Sequence, residues 1–251
     1  MRVTLSFTIA VSGKGGTGKT TIAGLIIRYL EQKKKTPILA VDADSNANLN
    51  EVLGVEYQDT IGGAREQMRT QVPPGMTKDV WIEIKIQEAL VETKDYDLLV
   101  MGRPEGSGCY CAANTLARSC IDSLSTNYQC IVIDNEAGME HFSRLTTQDV
   151  DLLFIVCDPT FRGLRTARRI LDLIKELNVS IARSLVIISQ HKNGVDQKLE
   201  EEAGRLKFQI GGYLPFDENV YQYDLQGKPT HDLPESSPVV QKIGKILDEL
   251  I

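Results

Sequence analysis

Nine residues near the start of the chain, Gly13-Lys14-Gly15-Gly16-Thr17-Gly18-Lys19-Thr20-Thr21, constrain its fold more than any other stretch. They fit the pattern G-x-x-x-x-G-K-[ST]. Strand-like Leu5, Phe7, Ile9 and Val11 precede them, and an amphipathic run from Ile22 to Leu30 follows. A glycine-rich loop between a strand and a helix is the context in which this pattern cradles phosphate. Glycines let backbone N–H groups wrap phosphate oxygens with no Cβ in the way. The helix that follows points its positive end at the same anion. In such a loop Lys19 holds the β and γ phosphates, and the Thr20 hydroxyl joins a Mg²⁺ shell. The nine residues are therefore read as a nucleoside-triphosphate site.

The rest of the chain alternates between strand and helix patterns. Short apolar runs at Ile38–Val41, Tyr96–Met101, Cys130–Ile133, Leu152–Val156 and Ser184–Ser189 have the length and β-branched content of buried parallel strands. A shorter strand is expected near Phe208–Leu214. Between them, helical patterning covers Asp59–Glu92 (broken at Pro73-Pro74-Gly75), Leu164–Leu177, Val195–Leu206, Asn219–Leu225 and Val239–Leu250. This βαβ rhythm predicts one doubly wound α/β P-loop NTPase domain over residues 1–251, with a mostly parallel sheet and ligands at the strands' carboxyl ends. A chain of 251 residues, 42% of them hydrophobic, can bury such a core. The net charge of −6 argues against a broad nucleic-acid face. No signal peptide or apolar span is visible, so the expected location is cytoplasmic. In that reducing compartment the five cysteines are expected as thiols or metal ligands.

Carboxylates cluster after two of the apolar runs. Asp42 and Asp44 end the second run, and Asp134 follows Ile131-Val132-Ile133. Acids at strand ends beside a phosphate loop suit Mg²⁺ binding or water positioning, with an Asx-rich helix cap as the lesser alternative for Asp42.

Lys14, one residue after the first glycine, resembles the signature lysine of the deviant Walker A class, which includes the nitrogenase iron protein and the MinD and ParA ATPases. The resemblance implies ATP and a homodimer in which Lys14 of each subunit reaches the partner's nucleotide. It further implies that Asp44 orients the attacking water, that Asp42 supports the Mg²⁺ shell or the loop, and that Asp134 holds Mg²⁺ through water. Within Asp134-Asn135-Glu136-Ala137-Gly138, Gly138 would give an N–H to the γ-phosphate. Glu136 departs from the commoner D-T-P-A-G form. For base recognition the class uses an asparagine that this chain lacks. Gln190 offers a similar amide, and Pro215 and Phe216, in Leu214-Pro215-Phe216-Asp217, match the loop that flanks adenine.

Cys109 and Cys111 stand one residue apart in Gly106-Ser107-Gly108-Cys109-Tyr110-Cys111. Two such thiols underfill a tetrahedral or square-planar site, and a two-fold dimer would bring four together. Buried thiols are the alternative, and the expected fate of Cys120, Cys130 and Cys157. Together with Lys14 and the D-N-E-A-G-M-E-H segment, the C-x-C loop resembles the CooC-type nickel-insertion ATPases that mature carbon monoxide dehydrogenase, with the acetyl-CoA synthase maturation ATPases close by. The resemblance spans almost the whole chain. It implies an ATP-driven metallochaperone holding Ni²⁺, or Zn²⁺, on Cys109 and Cys111, with a nickel enzyme as client. Two other readings stay open. One is a MinD/ParA positioning ATPase, although the acidic residues of the C-terminal helix fit an anionic membrane poorly. The other is an iron–sulfur ATPase reductase, which would need a second cysteine around Gly138-Met139, where this chain has none. His141 is read as a surface or capping residue, and His231, in a Pro-bounded loop, carries no assignment.

Overall fold

Consecutive residues of the first strand, β1 (Phe7–Gly13), are all but free of solvent from Thr8 onward, although they point alternately to opposite faces of a sheet. Ile9 and Val11 pack with one core layer and Ala10 with the other. A strand covered on both faces needs helices on both sides, and the computed structural model has that arrangement. It describes residues 6–103, 119–137, 149–192 and 194–251. Cys109, Cys111, Gly138 and His141 lie outside the described residues.

The described strands are β1, β2 (Ile38–Ala43), β3 (Val91–Glu92), β4 (Tyr96–Val100), β5 (Cys130–Asn135), β6 (Asp149–Cys157), β7 (Ser180–His191) and β8 (Ile210–Pro215). They form an eight-stranded sheet in the order β3-β4-β2-β5-β1-β6-β7-β8. All neighbours are parallel except the edge pair β3–β4. From the central β1 the chain first winds one way to β2 and β4, then the other way to β6, β7 and β8. The carboxyl end of β1 is thus the switch point of a doubly wound sheet, where ligands bind.

One face carries α1 (Lys19–Gln32) and α8 (Pro238–Asp248), whose Leu25, Ile26, Leu30, Ile243 and Leu247 pack on Ile9, Val132 and Phe154. The other face carries α3 (Ile61–Gln67), α4 (Lys78–Ala89), α5 (Phe161–Glu176) and α6 (Gln197–Arg205). The apolar side of α8, from Val239 to Leu247, is spent on this core. No helix among the described residues is long and apolar enough to cross a membrane. Cys120, Cys130 and Cys157 are buried free thiols, as expected. Burial pushes Cys120 and Cys157 up to about 12, so neither is a ready thiolate.

The structure corrects the long helical reading of Asp59–Glu92. Val91 and Glu92 pair antiparallel with Leu98 and Asp97, a two-residue edge strand too short to show a period. A five-residue helix, α2 (Leu49–Leu53), also went unread for want of length.

Asp217 joins the last two helices. Its Oδ1 accepts from Asn219 N at 2.9 Å, capping α7 (Glu218–Leu225), while its Oδ2 accepts from Val239 N at 3.1 Å and from the Ser237 hydroxyl. Burial opposes its ionisation, but these donors outweigh burial and hold the carboxyl below the usual range. Asp217→Ala strips two helix starts at once and is expected to cost about 2–3 kcal/mol in urea unfolding at neutral pH.

His231 packs beside α1, its Nε2 2.6 Å from Glu31 Oε2 and its ring tilted against Tyr96. Arg28 donates to the carbonyls of His231 and Leu233 and pairs with Glu235 in the same cluster. Burial opposes the imidazolium, yet Glu31 and Asp232 win, and the His231 pKa lies above its ordinary value. A raised histidine contributes stability that is complete below about 6.5 and is lost as pH climbs through the folded-state value. The melting temperature should therefore fall as pH rises above about 6.5, and His231→Gln should flatten that slope.

Candidate functional site

The glycine loop leaves β1 at Gly13 and enters α1 through Gly18, which sits in the left-handed region at φ 81°. Gly16 has φ 76°. No side chain caps the start of α1, so the first amides of the helix are left for an anion. Thr17 Oγ1 donates to the Lys14 carbonyl at 2.8 Å and closes the loop on itself. Lys19 is buried at 7% exposure. Lys14 points out of the loop instead, 56% exposed, with Nζ 3.7 Å from Asp158 Oδ2 beyond the end of β6.

Sheet register brings the carboxylates to the same place. Asp42 of β2 lies opposite Asp134 of β5, and Asp134 in turn lies opposite Val11 of β1. Both acids are almost wholly buried. Asp42 is filled by its own loop: Oδ1 accepts from Asp44 N at 3.1 Å and Oδ2 from Leu49 N at 2.8 Å. Burial pushes its carboxyl up to about 6, against the pull of these amides. Asp134 is different. One oxygen, Oδ1, is buried with no hydrogen-bond partner. Burial, reinforced by the charges of Asp42 and Asp44, lifts Asp134 to about 7 despite a Thr20 hydrogen bond and nearby Lys19.

An orphaned acid oxygen beside the Thr20 hydroxyl offers the oxygen donors a hard cation needs. Mg²⁺ takes one or two protein oxygens and leaves the rest to water and phosphate. The residues therefore fit Mg²⁺. Among the described residues no group of three or more His, Cys, Asp or Glu side chains could hold a metal by itself.

Two clefts meet over the glycine loop. The larger, about 1070 Å³, is lined by Gly15, Lys19, Thr20, Asp44, Asn46 and Ala137 among others. The smaller, about 350 Å³, runs between the loop and the ends of β7 and β8. Gly16, Gly18 and Thr21 border both. Gln190, Pro215 and Phe216 line the smaller cleft with Tyr221 and Val220. Gln190 reaches it from a register break in the β7–β8 ladder, in the left-handed region at φ 54°. Asp44 is half-buried, its Oδ1 accepting from Asn46 N at 2.9 Å.

The residues named from the sequence thus gather at the carboxyl ends of the strands: the loop, Asp44, Gln190, Pro215 and Phe216 line the clefts, while Asp42 and Asp134 are buried at the ends of β2 and β5. Sequence reasoning missed Asp158, Val220 and Tyr221. Asp158 follows an apolar run much as Asp134 does and could have been noted. Val220 and Tyr221 carry no motif.

Residues 8–230 match the family described as the CobQ/CobB/MinD/ParA nucleotide binding domain. The chain belongs to this family. As a MinD/ParA-class P-loop ATPase it has relatives along nearly its full length. An uncharacterized ATP-binding protein of Methanocaldococcus jannaschii is 46% identical over 248 residues, covering 97% of this chain and 98% of the relative. The carbon monoxide dehydrogenase accessory protein CooC of Rhodospirillum rubrum is 33% identical over 239 residues, covering 90% and 89%. A ParA family ATPase of Chlorobium tepidum TLS superposes with a TM-score of 0.74 at 20% identity, covering 96% of this chain and 99% of that one. That last likeness is one of fold.

Proposed function

We propose that this MinD/ParA-class protein is an ATP-hydrolysing nickel metallochaperone. It holds Ni²⁺ on Cys109 and Cys111 at a homodimer interface and delivers it to carbon monoxide dehydrogenase or acetyl-CoA synthase. The observation that carries the reading is the C-x-C pair in a chain 33% identical to CooC over 239 residues. A positioning ATPase has no use for those thiols, and the apolar face of α8 is already buried.

In this reading the loop amides and Lys19 bind the ATP phosphates, and the base lies between Gln190 and the Pro215–Phe216 turn. Thr20 and Asp134 hold Mg²⁺, which when bound neutralises phosphate charge. Gly138 gives its N–H to the γ-phosphate. Asp42 shapes the loop that presents Asp44, and Asp44 orients the attacking water. Lys14 leaves Asp158 for the partner's nucleotide. Exposed pairs of this kind are worth about 0.2–1 kcal/mol, so the exchange costs little. Closing and reopening of the dimer then changes the Cys109/Cys111 geometry and releases the nickel.

The test is an anaerobic Ni²⁺ titration of the reduced protein. It follows thiolate-to-metal absorption and mass by light scattering, with Cys109→Ser/Cys111→Ser alongside. One nickel per dimer, lost in the variant, is the expected result. Binding unchanged in the variant, or none in the parent, sinks the nickel reading.

A further inference from the structure

We propose that Glu136 is a positioning residue that fixes the Asp44 loop against the phosphate cleft through its hydrogen bond with Ser45. The inference rests on the hydrolytic reading of that cleft given above. Ser45 Oγ donates to Glu136 Oε1 at 3.1 Å, a contact spanning 91 positions of sequence. The register explains how it arises. Asp42 lies opposite Asp134 and Ala43 opposite Asn135, so the loops after β2 and β5 leave the sheet side by side.

The neighbouring residue ties the third strand. Asn135 Nδ2 donates to the Val11 carbonyl of β1 at 3.0 Å, just before the glycine loop. Residues 135 and 136 therefore pin the ends of β1, β2 and β5, from which the glycine loop and the Asp44 loop emerge. Within the Asp44 loop the bonds are local: Asp42 accepts from Asp44 and Leu49, and Asp44 accepts from Asn46. These shape the turn but do not set where it lies relative to β5. The Ser45–Glu136 bond is a sideways tie that does. In the D-T-P-A-G form of this segment proline occupies position 136 and offers no side-chain acceptor. The carboxylate here thus supplies a connection that form cannot make.

A water-orienting group is sensitive to small displacements, so loosening its loop should lower turnover more than binding. The experiment is steady-state Mg²⁺-ATPase on the full chain for Glu136→Ala, Glu136→Gln, Ser45→Ala and the Glu136→Ala/Ser45→Ala double. It is paired with hydrogen exchange of amides 44–48 in the nucleotide-free proteins. Glu136→Ala should lower kcat about five- to tenfold, the worth of one hydrogen bond, with KM for ATP changed by less than about twofold. Ser45→Ala should match it, and the double should be no worse than either single. Glu136→Gln keeps Oε1 and should restore most of the rate. Amides 44–48 should exchange faster in both alanine variants. Additive losses, an unchanged kcat in Glu136→Ala, a Gln variant as slow as the alanine, or unchanged exchange would each overturn the proposal. Exchange is read without nucleotide, so a parent protein that hydrolyses nothing would fault the hydrolytic reading and leave this tie independently tested.

Discussion

Asp134→Asn is expected to stabilise the nucleotide-free protein while lowering Mg²⁺-dependent ATP hydrolysis on the order of a hundredfold. The two effects have one cause. Asp134 is buried beside Asp42, with one oxygen unpartnered, and burial lifts its carboxyl to about 7. In the unfolded chain the same group loses its proton near pH 4. Between those values the unfolded state gives up a proton that the folded state keeps, so stability falls as pH rises, and above about 7 the full cost is present. That cost is on the order of a few kcal/mol. Asparagine cannot ionise, so its urea midpoint at pH 7.5 should exceed the parent's, and the gap should close towards pH 4. The charge that destabilises the empty site is the one a Mg²⁺–nucleotide complex needs. An asparagine variant that is both less stable and fully active would refute the argument.

The same residue shows how far the sequence could be read. An acid directly after an apolar β-branched run is visible from period and chemistry alone, as is the glycine loop between a strand and a helix. Both features are local, and the doubly wound sheet follows from repeating them. What escaped reading is set by partners distant in sequence or by segments too short for a period. Val91 and Glu92 become a strand because Leu98 and Asp97 lie beside them. Asp217 caps a helix that starts beside it and also holds the start of one that begins far along the chain at Pro238, which no local pattern shows. Lys14 could be read as a lysine with work outside its own loop, whereas its contact with Asp158 depends on where β6 ends. Glu136 stood out as a departure from a pattern, and only the β2–β5 register supplies Ser45 as its partner. The absent asparagine in the base loop is a milder case, since Gln190 lines the smaller cleft from a strained turn that no spacing rule encodes.

Gly13→Ala is expected to do the greatest damage of any single methyl added to a glycine among the described residues, abolishing the folded state or costing it several kcal/mol. Gly13 ends β1 at φ 149°, paired with Val156 of β6. A Cβ there would overlap the Val156 carbonyl oxygen and lie 3.0 Å from its carbon and 3.2 Å from its nitrogen. Those are backbone atoms of a central strand, so no side chain can swing away to relieve the clash. The two strands would have to part at the switch point of the sheet. Gly16→Ala makes the informative contrast. Its φ of 76° imposes a strain of about 1–2 kcal/mol, yet a Cβ there meets nothing within 4 Å. That space is the wall of the two clefts. Gly16→Ala should therefore keep the circular-dichroism spectrum and a cooperative melt while losing most of its affinity for a fluorescent ATP analogue. Gly13→Ala should lose the melt itself. The first glycine of the motif then belongs to the fold and the third to the ligand. Equal losses of stability in the two variants would erase that division.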